Sequence, residues 1–293
     1  MVTHVILNPA AGRGKAGKLL EPLSRLLETE LPGSRLHVTA YAGNAREIAA
    51  TFKSGDHLVV AVGGDGTIHE VVNGIAGGTA KLGIIPVGTG NDFARMFHLP
   101  KNPAEAVRIL KAGFLKTIDL GKVNDTYFLN GMGIGFDADV VVESQKIRYL
   151  DGFLLYLSAV FRKILSYQNY AIDLGKDSTT EHRDIFLLSV GNGQFLGGGF
   201  RLLPKANLSD GLLDVCMLHA LRRSEIFRHL PKAINGTHLG ISQVEYYNIR
   251  KLVIDCETGI PAHVDGELLG TRLRHLEIEV VPSILNVVCP APA

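Results

Sequence analysis

AVGGDGTIHEVVNG (residues 61–74) decides how this sequence is read. An apolar strand runs straight into Gly63-Gly64-Asp65-Gly66-Thr67, and a helical pattern follows from Ile68. Glycines in such a turn let backbone N–H groups approach phosphate oxygens, and the helix N-terminus adds the positive end of its dipole. Asp65 would repel a bare phosphate, so its presence implies Mg²⁺ or a water network between carboxylate and phosphate. An isolated GGDG reads equally as a tight β–α turn with Asp as N-cap. This one is not isolated. PVGTGNDF (86–93) closes the next strand in a second glycine loop with its own Asp. Two adjacent strand ends therefore present Gly, Thr and Asp together, at the edge where open α/β sheets bind ligands.

Upstream, NPAAGRGKAGKL (8–19) follows an apolar run and overlaps two nucleotide patterns. Gly12 to Lys18 fits the start of a P-loop, but Leu19 stands where a hydroxyl must ligate Mg²⁺. Gly12-x-Gly14-x-x-Gly17 fits a dinucleotide fingerprint, but the second strand ends in Thr39, Ala40 and Tyr41 without the acid that holds a ribose. Lys15 and Lys18 read first as solvated surface lysines and second as groups that steady the phosphates.

The surrounding pattern is α/β. Residues 5–8, 36–41, 57–62 and 81–87 read as strands, with helices at 18–27, 45–52, 67–75 and 103–110. This alternation marks a parallel sheet with crossover helices. From Thr117 strands dominate, at 116–123, 126–133, 184–191, 212–218, 251–256 and 275–281, with helices at 150–165 and 224–234. The expected division is an α/β domain at 1–121 and a mainly β domain at 122–293.

Composition narrows the classes. The 293 residues carry a net charge of +1 and 46% hydrophobic residues, so nothing global draws the chain to nucleic acid. Cys216, Cys256 and Cys289 lie far apart without ligand spacing, which favours reduced thiols and a cytoplasmic setting. No signal peptide is expected, and the longest apolar stretch, GFLLYLSAVF (152–161), falls short of the ~20 residues of a spanning helix.

NPAAG (8–12), GGDGTIHEVVNG (63–74), PVGTGNDFAR (86–95), SDGLLDV (209–215) and VDGE (264–267) together resemble the signatures of the diacylglycerol kinase catalytic family, which includes bacterial lipid kinases and the sphingosine and ceramide kinases. The resemblance covers nearly the whole chain, in order. It implies an N-terminal α/β domain of the NAD kinase and phosphofructokinase type, a C-terminal β-sandwich, and an active site between them. It implies ATP and Mg²⁺ as cofactors. Asn8, Pro9, Ala10, Ala11 and Gly12, with Gly63, Gly64, Asp65, Gly66, Thr67, Ile68 and His69, would meet ATP, and Thr39 and Thr89 would add contacts. His69 departs from the Asn of many members. Asp65, Asp92 and Asp119 would form an acidic water and Mg²⁺ network beside the γ-phosphate, and three carboxylates in one place call for a cation. Glu267 falls at the family's general base, while Asp265-Gly266 also reads as a simple β-turn. Asn207, Asp210 and Leu212 correspond to a structural Mg²⁺ site, with an Asp capping its own turn as the competing reading.

The implied function is an ATP-dependent lipid kinase that phosphorylates a primary hydroxyl of diacylglycerol at a membrane surface. Phosphatidylglycerol, a sphingoid base or undecaprenol are alternative acceptors, and a non-catalytic nucleotide- or lipid-binding protein is the alternative class. The expected location is the cytoplasm, peripheral at the inner membrane, with a homodimer as the default assembly. Leu150, Phe153, Leu154, Leu157, Phe161, Ile164 and Leu165 fall on one helical face flanked by Lys146, Arg148, Arg162 and Lys163. That stripe reads first as core packing and second as an interfacial helix.

Overall fold

The computed structural model describes residues 1–147, 150, 152–176 and 179–291; Arg148 lies outside the described residues. The chain divides into two compact units, Met1–Leu120 with the segment from Pro282 onward, and Gly121–Val281.

The first unit runs β1 (Val2–Leu7), α1 (Ala11–Lys18), α2 (Leu20–Glu30), β2 (Arg35–Val38), α3 (Asn44–Ala50), β3 (His57–Gly63), α4 (Asp65–Ile75), β4 (Lys81–Pro86), α5 (Asp92–Met96) and α6 (Pro103–Ala112), then enters β5 (Leu115–Val123). Its strands are parallel in the order β4-β3-β1-β2. Val5, Leu7, Val60, Val62 and Ile85 pack against Leu23 and Leu27 of α2 and Val107 and Leu110 of α6. Burial on both faces explains why these strands read as continuous apolar runs rather than alternating ones. Asn102 caps α6 by accepting from the Ala104 N–H at 2.9 Å, with Pro103 as the first helical residue.

The helix expected at 18–27 is observed as α2, from Leu20 to Glu30, and is preceded by a short α1 in which Gly12, Arg13 and Gly14 take left-handed φ. The strand expected to reach Tyr41 stops at Val38. Short α5 carried no apolar period and was not anticipated.

The second unit continues through β6 (Thr126–Phe128), β7 (Gly131–Gly135), α7 (Phe136–Ser144), α8 (Gly152–Ile164), β8 (Tyr170–Lys176), β9 (Thr179–Gly191), β10 (Leu213–His219), α9 (Arg223–Asn235), β11 (Val244–Ile249), β12 (Lys251–Val264) and β13 (Glu267–Val288). Strands order as β11-β10-β9-β7-β12-β13, all antiparallel, with β8 bridging β9 and β12. Met132, Ile134, Leu188, Val190, Val215, Ile254, Ile260 and Ile278 form its core. A second cluster seats α7, α8 and α9 through Phe136, Val140, Val160, Phe186 and Ile226.

Two sequence expectations change here. The expected division at 121/122 puts residues 282–291 in the second domain, but the end of β13 pairs in parallel with β4, Asn286 opposite Lys81, and so belongs to the first unit. The expected stripe is divided between core and surface. Ile164 is buried and Phe153 and Leu157 are half-buried, whereas Leu154, Phe161 and Leu165 are exposed, and Phe161 stacks on exposed Phe227 of α9. Among the described residues no helix is long and apolar enough to cross a membrane.

Candidate active site

Parallel registration brings the ends of β1, β2, β3 and β4 to one edge of the first unit, Leu7 opposite Val38 and Val62, and Gly63 opposite Pro86. Asn8 follows β1 and works in three directions. Its N–H donates to the Val62 carbonyl (3.1 Å), its Oδ1 accepts from the Ala10 N–H (3.0 Å), and its Nδ2 donates to Thr67 Oγ1 (3.1 Å). Buried Thr39 stands beside it, its N–H donating to the Leu7 carbonyl at 2.9 Å.

The second glycine loop closes on both neighbours. Val87 and Gly88 donate to the Gly63 carbonyl at 2.8 and 3.2 Å, and a Cβ on Gly88 would collide with the Gly64 backbone. Gly12 has φ +59, and a Cβ there would run into the Val87 carbonyl oxygen. Residues 8–12, 63–67 and 86–91 thus form one backbone-lined cradle at the strand edge, of the kind that holds phosphate. Beside it, Asn91, Arg95, His98 and Lys101 line an open hollow of about 300 Å³.

Within this edge Asp65 Oδ1 accepts the Phe93 N–H at 3.3 Å, next to buried Asp92, whose carboxylate lies 3.8 Å from the Arg95 guanidinium. Asp119, in β5, is buried and accepts the Ser283 N–H at 2.7 Å. No three His, Cys, Asp or Glu side chains among the described residues are arranged to ligate a metal. The donor set fits Mg²⁺ in the manner usual for nucleotide sites, one or two carboxylates with phosphate oxygens and water completing the shell.

The remaining expected contacts divide. Thr89 is exposed at the loop tip, Ile68 is packed in the core, and His69 is half-buried beside Asn73, which donates to the His69 carbonyl at 3.0 Å. Glu70 carries a role that periodicity does not show: its carboxylate accepts the N–H groups of Gly43 (2.8 Å) and Ala45 (3.1 Å) and so caps α3.

In the second unit Asp265 (φ 49) and Gly266 (φ 87) join β12 to β13, with Val264 paired to Glu267. Two positive-φ residues in a two-residue loop are a type I′ hairpin, which favours Asp-Gly. Glu267 stands exposed at the start of β13. The Asp265 carboxylate accepts three main-chain N–H groups, from Leu129 (3.0 Å), Asn130 (2.9 Å) and Gly131 (3.2 Å).

At the third candidate set, Asp210 Oδ1 accepts the Leu212 N–H (3.1 Å) and Asn207 Oδ1 accepts the Ser209 N–H (3.3 Å), so both side chains cap their own turn. Burial raises the carboxyl of neighbouring Asp214 above its usual range, against the Tyr246 hydroxyl that donates to it at 2.7 Å, and the Asp210 charge adds to the rise. An Asp carboxylate together with main-chain carbonyls of its turn offers the kind of oxygen donors a hard cation takes.

The second unit also carries a partly open apolar pocket of about 80 Å³ between α7, α8, α9, β9 and β10, lined by Phe136, Val140, Tyr156, Val160, Phe186, Leu230 and Ala233, with Asp137 and His238 among its polar groups. Burial pushes the Cys216 thiol on its wall up to about 12, which leaves it unreactive.

Comparison with known proteins matches residues 3–123 to the diacylglycerol kinase catalytic domain and residues 131–289 to the YegS C-terminal NAD kinase beta sandwich-like domain. A diacylglycerol kinase of Mycobacterium tuberculosis is 32% identical over 97% of this chain and 94% of its own. The chain belongs to the diacylglycerol kinase catalytic family. A family member from Bacillus subtilis, also named diacylglycerol kinase, is 30% identical over 91% of this chain and 90% of its own. The crystal structure of a Bacillus anthracis diacylglycerol kinase matches with a TM-score of 0.80 at 27% identity, covering 99% of this chain and 97% of that one. An NAD kinase from Archaeoglobus fulgidus, solved in complex with ATP, shares the fold at a TM-score of 0.56 and 12% identity, covering 98% and 93%. The family fold is therefore the expected one, an α/β N-terminal domain followed by a β-sandwich-like domain.

Proposed function

We propose that this chain is an ATP-dependent lipid kinase that transfers the γ-phosphate to the primary hydroxyl of diacylglycerol, giving phosphatidic acid. The observation that carries the reading is the family's diacylglycerol kinase signature across almost the entire chain, with relatives of that name at 30–32% identity. The three-loop cradle supports the nucleotide half of the reaction, and the apolar cavity supports a hydrocarbon-bearing acceptor. The domain boundary near residue 121, peripheral membrane contact and a dimer belong to the same proposal.

Phosphoryl transfer asks little covalent chemistry of the protein beyond positioning and charge stabilisation. The backbone of 8–12, 63–67 and 86–91 would bind the phosphates, with Thr39 and Thr89 toward the nucleoside. Asp65 and Asp92 would hold Mg²⁺, which when bound neutralises charge on the transferring group. Asp119 fixes β5 against β13 and orders the neighbouring backbone. Glu267 would accept the proton of the attacking hydroxyl, and a carboxylate suffices for a proton released late. Asn207, Asp210 and Leu212 would hold a second, structural Mg²⁺.

The test is incubation with labelled ATP, Mg²⁺ and mixed micelles of diacylglycerol, phosphatidylglycerol or sphingosine, followed by organic extraction. Label in phosphatidic acid is the expected result. Label in another lipid would replace the acceptor, and ATP binding without transfer to any lipid would overturn the reading.

A further inference from the structure

The hairpin that carries Glu267 is held at two points by one stretch of chain, Leu129–Asp137. At the first point the Asp265 carboxylate takes the N–H groups of Leu129, Asn130 and Gly131, while the Asp265 N–H donates back to the Gly131 carbonyl at 2.8 Å. At the second, His263 Nε2 lies 3.2 Å from Asp137 Oδ2, with both side chains nine-tenths or more buried, and the Tyr156 hydroxyl donates to Asp137 Oδ1. A carboxylate accepts, so His263 donates from Nε2. The strand register places these contacts: His263 faces Gly133 and Val264 faces Met132 across β12 and β7, and on the other side Val264 pairs with Glu267 itself.

Two backbone features fit this arrangement. Asp265 occupies the left-handed region that non-glycine residues rarely enter, which aims its carboxylate back at residues 129–131. Gly133 lacks the Cβ that would occupy the space where Asp137 and His263 meet. An exposed carboxylate at the tip of a two-residue hairpin would otherwise swing with its turn, and proton acceptance from a hydroxyl requires hydrogen-bond reach.

We propose that Asp265 and His263 are positioning residues for Glu267, acting through this two-point clamp rather than by touching either substrate. The proposal rests on the kinase reading above and on Glu267 as its base.

Asp265→Asn tests it. Asn-Gly is the best type I′ pair, so the hairpin survives, but a carboxylate with two acceptor oxygens becomes an amide with one. With dioleoylglycerol micelles and ATP, kcat is expected to fall by about 10–100-fold, the scale of a small misplacement of a reacting group. KM for ATP should stay within about twofold, as expected when only an interaction made during transfer is lost. In the Glu267→Ala background the same change should cost nothing more, because a positioning residue acts only through the group it positions. Gly133→Ala provides the second variant, breaking the Asp137–His263 contact without altering the turn, and the same pattern is expected from it.

Folded Asp265→Asn and Gly133→Ala proteins with wild-type kcat would overturn the clamp, as would an equal further loss in the Glu267→Ala background. In either case an active wild type would leave the kinase reading standing. A wild type that labels no lipid would overturn the kinase reading and the clamp with it, whereas a fully active Glu267→Ala protein would leave the kinase reading standing and overturn Glu267 as its base, and so the clamp.

Discussion

Asn8 and Thr67 are joined side chain to side chain, Nδ2 to Oγ1 at 3.1 Å, although 59 residues separate them in the chain. The bond fastens the exit loop of β1 to the first turn of α4, so two family signatures become one surface. Asn8→Ala removes it together with the bond that Oδ1 accepts from Ala10. KM for ATP should rise by about fivefold, which corresponds to about 1 kcal/mol for a lost hydrogen bond. Titration of initial rate against ATP checks this, and an unchanged KM would separate the loop from nucleotide binding.

Gly12→Ala should act on stability as well as binding. Left-handed φ costs a non-glycine residue about 1–2 kcal/mol, and the new Cβ would also press on the Val87 carbonyl. A melting temperature lower by about 2–8 °C is expected. A protein as stable as the wild type would show that the loop relaxes.

Glu267→Gln keeps size and removes the base. The expected loss in kcat is about 10²–10⁴-fold, the usual worth of a general base. ATP binding, followed by calorimetry, should be unaltered. Substantial residual turnover would assign the proton to another acceptor.

Ala233→Trp fills the cavity from α9. KM for a long-chain diacylglycerol should increase by about tenfold, on the scale of lost pocket contacts. A short-chain, water-soluble analogue should be little affected. Equal effects on both would show that the cavity does not receive the hydrocarbon chain.

His4 sets an acid limit on stability. Its ring is buried and stacked on Phe52 at 3.5 Å, with His37 Nε2 3.3 Å from its Nδ1. Burial first, then the charges of His37, His57 and Arg35, lowers its pKa from 6.5 to about 4. Between those values the unfolded chain binds a proton that the folded chain does not. Stability is therefore complete above about pH 6.5 and declines as pH falls toward 4. Melting temperatures measured from pH 7.5 to 4.5 should show this decline, and His4→Leu should flatten it.

Legibility followed the range of the interactions. The strand–glycine–helix passage at 61–74, the second loop at 86–93 and the Asp265-Gly266 turn were readable because backbone φ, turn chemistry and apolar period act over a few neighbouring residues. So was the fold class, an α/β part followed by a mainly β part. Family signatures then attached chemistry to those positions. What the sequence did not disclose depends on partners distant along the chain. The bond from the Ser283 N–H to Asp119 spans 164 positions, and those from Leu129, Asn130 and Gly131 to Asp265 span 136, 135 and 134. The return of β13 to pair with β4, and the division of the α8 stripe between core and surface, likewise required the assembled chain. By itself the sequence determined which local shapes the chain takes and which side chains stand at the strand ends. Tertiary structure alone decided which of those side chains meet, because a carboxylate's partners are the donors that topology brings within about 3 Å, whatever their place in the sequence.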